Sequence, residues 1–75
     1  MPPVYALALA CVLNTSTCQS GYFVLDNRTL EDCQDVVMPQ IDSFRTLRRD
    51  KSVVKWRAQG CTLKAPQDRK FMGMI

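Results

Sequence analysis

Thr29–Arg49 reads TLEDCQDVVMPQIDSFRTLRR, and it is the one stretch of this chain with a sustained helical period. Leu30, Cys33, Val37, Ile41, Phe44 and Leu47 recur at spacings of three and four, which gathers them on one face of a helix. Thr29 and Asp32 supply a T-x-x-D capping signal at its start. Glu31, Asp32 and Asp35 lie near the first turn and Arg45, Arg48 and Arg49 near the last, so both ends complement the helix dipole. Pro39 falls in the middle, where it removes one hydrogen bond and crowds the carbonyl of Asp35. The stripe keeps phase across it. The pattern therefore predicts one helix bent near residues 35–39, in preference to two short helices meeting at Met38-Pro39.

The flanks read as strands. Val4 to Leu13 is apolar, with Tyr5, Leu7, Leu9, Cys11 and Leu13 large and Ala6, Ala8 and Ala10 small between them. In a strand these sets point to opposite faces, and the small face admits a close neighbour. The same run has the look of a signal-peptide core. However, no Lys or Arg precedes it, and Ala8 stands where a lipoprotein box needs a large aliphatic residue, so a mature strand is the favoured reading. Asn14-Thr15-Ser16-Thr17 is a turn cluster, Gly21–Leu25 is β-prone, and Asp26-Asn27-Arg28 breaks it. A turn centred on Asn14-Thr15 sets a register that puts Cys11 opposite Cys18.

After the helix, Val53 to Ala58 alternates. Val54, Trp56 and Ala58 take one face, and Val53, Lys55 and Arg57 the other. Gln59-Gly60 marks a bulge or tight turn, Cys61–Lys64 continues the strand, and Pro66 stops it. The predicted fold is α+β in the order β-β-α-β. A three-stranded antiparallel sheet carries one bent helix on one face, and cysteine pairs staple the two layers. Residues 1–66 form the domain and residues 67–75 a tail or short edge segment. The apolar tail residues Phe71, Met72, Met74 and Ile75 either pack back on the core or meet a partner. With the first strand at an edge, a second copy could pair with it and give a homodimer.

Four cysteines allow three pairings, which sequence alone leaves open. The favoured one is Cys11–Cys18 with Cys33–Cys61, the second pinning the helix to the last strand. The C-x6-C-x14-C-x27-C spacing has no C-x2-C knuckle for zinc and no redox C-x-x-C, which favours a structural role. Disulfides and reduced buried thiols are both compatible with that role, and the compartment decides between them.

Seventy-five residues make one small domain that buries only about 60% of its unfolded surface, so staples matter. No apolar run approaches the roughly 18 residues of a membrane span. The net charge of +3 is unevenly spread. Residues 1–44 hold one base against five acids, and residues 45–75 hold nine bases against two acids. Such asymmetry fits a solvated surface whose two halves partly neutralise each other after folding, or else a polyanion or an acidic partner. Histidine is absent, which removes the commonest general base and metal ligand. Ser16, Ser20, Ser43 and Ser52 then have no histidine to activate them. The expectation is a non-enzymatic protein with no cofactor and no metal.

YALALACVLNTSTCQ (residues 5–19), LEDCQ opening the helix (residues 30–34) and the late lone Cys61 together resemble an uncharacterised family of small enterobacterial prophage proteins. The resemblance covers roughly residues 5–38 and Cys61; the basic run Arg45–Arg57 and the tail depart from it. It implies a phage or prophage origin and a β-β-α-β type of fold, and it implies no activity. The leading functional expectation is a small phage-encoded accessory protein in the bacterial host cytoplasm that binds and modulates a host protein. Arg45, Arg48, Arg49, Lys55, Arg57, Phe71 and Met72 are its candidate contact residues. Nucleic-acid binding is one alternative: Arg45, Arg48, Arg49, Lys51, Lys55, Arg57 and Lys64 would meet phosphates, and Trp56 would offer a stacking surface if it did not face the core. A disulfide-stapled domain of the periplasm or envelope is the other.

Overall fold

Val4–Val12 (β1) and Thr17–Leu25 (β2) form an antiparallel hairpin in which Val4 faces Leu25 and Cys11 faces Cys18. Residues 13–16 connect the strands, with Ser16 in the left-handed region at φ 56°. This computed structural model describes residues 2–74, so Ile75, grouped with the apolar tail, lies outside the described residues, as does Met1. After the hairpin comes a continuous helix of 13 residues, α1, assembled from Leu30–Asp32, Cys33–Val37 and Met38–Asp42. Then follow Arg45–Leu47 (β3), Val53–Thr62 (β4) and Lys70–Met74 (β5).

The sheet is not the predicted three-stranded one. Among the described residues it has five strands in the order β3-β4-β1-β2-β5, curled as a half-barrel. It is mixed: β5 runs parallel to β2, and the other pairs are antiparallel. β1 is central, not at an edge, so the expected route to a homodimer through its backbone is closed by β2 and β4. The two added strands come from the end of the predicted helix and from the segment read as a tail.

The helix departs from its prediction in length and in shape. Thr29 caps it as expected, its Oγ1 accepting the Asp32 amide at 3.1 Å. The Asp32 carboxylate takes the Arg28 guanidinium at 2.8 Å. The middle is a π turn over Cys33–Val37, in which the Met38 amide donates five residues back to the Cys33 carbonyl. Pro39 follows at once, in the first turn of the last α segment, where no amide donor is required. The wider turn thus replaces the predicted bend: it gives the proline ring room beside the Asp35 carbonyl without breaking the helix.

Helix α1 ends at Asp42, seven residues before the predicted end. Ser43 and Phe44 tighten the last turn through amide bonds to Gln40 and Ile41 of 3.2 and 3.0 Å. The chain then turns extended, and Arg45, Thr46 and Leu47 pair with Lys55, Val54 and Val53. Satisfying the outer edge of β4 outweighs the helical period of Phe44 and Leu47, a tertiary override of local pattern. Phe44 and Leu47, expected in the core stripe, are 47% and 72% exposed.

The core lies between α1 and one face of the sheet. Val4, Ala6 and Ala8 of β1 meet Phe23 and Leu25 of β2 and Cys33, Val37 and Ile41 of α1. The small face of β1 is the one that admits the helix. A β-bulge completes the arrangement. Leu7 pairs with Gly60 and Ala8 with Ala58, so Gln59 is an extra residue, with Gly60 at φ 137°. Strict alternation from Ala58 would turn Cys61 away from the helix. The bulge shifts the parity by one, sets Cys61 opposite Ala6, and so aims it at Cys33.

The cysteines form two disulfides, Cys11–Cys18 across the hairpin and Cys33–Cys61 between helix and sheet. In the chain-entropy model, the sequence separation of 28 for Cys33–Cys61 corresponds to about 3.6 kcal/mol, and that of 7 for Cys11–Cys18 to about 2.4 kcal/mol. The C33A/C61A double variant should therefore lose more stability in urea unfolding than C11A/C18A; the reverse order would contradict the role assigned to the helix–sheet link. Deleting Gln59 should leave Cys33 and Cys61 as two titratable thiols in unreduced protein. Full disulfide formation in that variant would show that the bulge does not set the direction of Cys61.

Candidate functional site

Every acidic residue of the chain lies outside the strands. Among the described residues β1 to β5 contain Arg45, Lys55, Arg57 and Lys70 and no Asp or Glu, whereas α1 contains Glu31, Asp32, Asp35 and Asp42 and no Lys or Arg. The molecule therefore presents an acidic helix and a basic sheet. The ion pair Arg28–Asp32 sits at the helix start, partly exposed, where such a pair contributes only a few tenths of a kcal/mol.

The basic residues concentrate at one end. Burial along β1 shows where the helix stops covering the sheet: Val4, Ala6 and Ala8 are buried, whereas Ala10 and Val12 on the same face are only half-buried. Beyond that point lies the β3–β4 hairpin, and residues 43–60 hold six bases against Asp50 alone. On the face away from the helix, Lys55 stands opposite both Cys11 and Arg45, and Arg57 stands opposite Leu9. The three cations are exposed. They line one side of the half-buried Leu9 and of Cys11, whose neighbours on the other side are Ser20 and Cys18 of β2.

The seven candidate contact residues do not form one patch. Arg45, Lys55, Arg57 and Phe71 lie on the face away from α1. Arg48 borders a groove on the helix face, and Met72 packs there against the core above Gly21, whose lack of a side chain leaves room for it. Arg49 lies in the β3–β4 turn. Trp56 offers no stacking platform beside the outer-face cations, because it lies half-buried on the helix side of β4. Its ring lies 5.5 Å from that of Phe23, and its Nε1 donates to Thr46 Oγ1 at 3.3 Å.

Sequence reasoning missed the aromatic row of the outer face. Tyr5 and Tyr22 meet edge to face at 5.8 Å, and Tyr22 and Phe71 at 5.7 Å. Tyr5 and Tyr22 share a face by alternation, but Phe71 joins them only because β5 docks beside β2. The connection from β4 to β5 lies against this face: residues from Lys64 to Arg69 form a pocket with Leu7 and Thr62, and Arg69 donates to the Gln59 side chain.

The β3–β4 turn holds itself in place. Lys51 takes a left-handed conformation at φ 67°, the Arg48 amide donates to the Ser52 carbonyl at 2.9 Å, and the Ser52 amide donates to Asp50 Oδ1 at 3.0 Å. The Ser52 hydroxyl donates to the same oxygen. These two bonds, followed by the nearby Arg48 charge, hold the Asp50 carboxyl below its usual range. The one acid of the basic end is thus engaged in its own turn.

Among the described residues, no group of three or more Cys, Asp or Glu side chains could hold a metal ion, and no helix is long and apolar enough to cross a membrane. No family model, no curated protein and no solved structure matches this chain.

Because the Asp50 carboxyl is lowered on folding, its stabilising contribution is complete above the ordinary carboxylate pKa of about 4 and is lost as pH falls through the folded value. Amide exchange at Ser52 should therefore quicken in acid relative to that of β1. In D50N that acid-dependent change should vanish; an unchanged pH profile in D50N would remove Asp50 as its cause.

Proposed function

We propose that this chain is a non-enzymatic binding module that docks an acidic protein on the outer face of its basic end. The observation that carries the reading is the acid-free sheet, on which Arg45, Lys55 and Arg57 line the β4 side of Leu9 beyond the reach of the helix. Cations beside an apolar strip suit a protein surface of matching shape and opposite charge, with the charges steering encounter and the apolar contact prolonging it. In the prophage setting that the resemblance implies, the partner is a host protein and the chain is an accessory factor that modulates it. The two disulfides favour an oxidising compartment, the envelope side of a bacterial cell, over the reducing cytoplasm.

A second reading, single-stranded nucleic acid, draws on the same cations together with the Tyr5, Tyr22 and Phe71 row on the same face. The edge-to-face contacts engage part of each ring with its neighbour, which favours the protein partner.

Affinity capture from nuclease-treated host extract separates the two. The oxidised wild-type chain should retain an acidic protein at moderate salt, and the K55E/R57E variant, folded by circular dichroism, should lose it. Recovery of nucleic acid alone from untreated extract, with binding that falls steeply as salt rises, would replace the first reading by the second. Equal capture by K55E/R57E would move the contact off this face.

A further inference from the structure

The helix face of the same end carries a separate feature. Where α1 stops, the curled sheet leaves a groove of ≈ 440 Å³ whose floor is Ala10 and Val12 of β1, Val54 and Trp56 of β4 and Met72 of β5, with Thr17 and Gln19 of β2 between β1 and β5. This volume falls within the roughly 300–1,000 Å³ of small-molecule sites. Two cations border it from opposite sides. Arg48 follows the last residue of β3, and Lys70 opens β5, strands that form the two edges of the sheet. No acidic side chain lines the groove, and among the described residues neither Arg48 nor Lys70 has a salt-bridge partner. Asp50 is the acid whose charge Arg48 feels, and its carboxylate is held by Ser52.

A mostly apolar floor between two cations without a salt bridge among the described residues is complementary to a molecule with an apolar body and one anionic head. A neutral apolar molecule would leave the cations unused, and a small inorganic anion would leave the floor wet. The geometry points to a binding site for a small amphipathic anion, with an acyl or aryl body over Trp56, Val12 and Met72 and a carboxylate, sulfonate or phosphate held by Arg48 or Lys70. The site is independent of the outer-face contact, because Lys55 and Arg57 point to the other side of β4.

Trp56 is the only tryptophan of the chain and forms part of the floor, so its emission reports occupancy directly. The full oxidised protein is titrated with decanoate below its micelle-forming concentration, and in parallel with decanol and with acetate. Decanoate should change Trp56 emission saturably with one-to-one stoichiometry by calorimetry. Decanol should bind at least tenfold more weakly, and acetate should leave the emission unchanged. R48M/K70M, with circular dichroism and thermal midpoint checked against wild type, should weaken decanoate at least tenfold, whereas K55E/R57E should bind it as wild type does. The site is refuted if decanoate causes no saturable change, if decanol binds as tightly as decanoate, or if R48M/K70M binds decanoate with unchanged affinity.

Discussion

The covalent link between Cys33 and Cys61 is the constraint on which the rest of this domain depends. The hydrophobic core is small: of its largest fully buried side chains, Leu25 and Val4 belong to the hairpin and Ile41, Val37 and Cys33 to the helix. A 75-residue chain buries too little apolar surface for such a core to hold two layers together with much margin. The sulfur bridge fixes α1 over Ala6 and Ala8, where the short side chains allow close approach. That bridge exists because the Gln59 bulge reverses the facing of Cys61. A single inserted residue in β4 thus decides which layer the last cysteine joins.

Fixing the helix at one end of the sheet has an electrostatic consequence. The acids lie in the helix and the loops and the bases in the strands and the loops, so that the helix carries no base and the strands carry no acid. Folding therefore separates charge along the molecule and does not interleave it. The basic end is left without helix cover on one face and, around Leu9, without an acid on the other. Asp50 lies close by, but Ser52 binds its carboxylate within the turn. Cations without a salt bridge among the described residues, set beside half-buried apolar side chains, are what the proposed docking face and the groove on the opposite face have in common.

Much of the local structure was legible in the sequence. The alternation of large and small residues in Val4–Leu13 marked a strand whose small face meets the helix, and the turn cluster after it set the hairpin register that opposes Cys11 and Cys18. The Thr29 cap, the stripe of Cys33, Val37 and Ile41, and the two faces of Val53–Ala58 follow from period and capping chemistry acting within a few residues. Pro39 announced an irregularity near residues 35–39, though the helix absorbs it as a π turn over Cys33–Val37. The candidate site was legible only in its cations. Their division between two faces, and the addition of Tyr5, Tyr22 and Phe71 to one of them, were not.

By itself the sequence determined the elements whose instructions are local: a hairpin, a capped amphipathic helix, and a half-buried basic strand with a break at Gln59-Gly60. The tertiary structure decided the rest, because the deciding partners are distant in the chain. Arg45–Leu47 reads as helix and becomes strand because the edge of β4 offers hydrogen bonds that a last helical turn would forgo. Lys70–Met74, read from sequence as tail or short edge segment, becomes a parallel edge strand because β2 has a free side, and that choice of neighbour and direction is not encoded within those five residues. Cys61 faces the helix because one bulged residue changes the parity of β4. In each case local propensity is worth a fraction of a kcal/mol per residue, and pairing with a sheet edge or a sulfur across the core outweighs it.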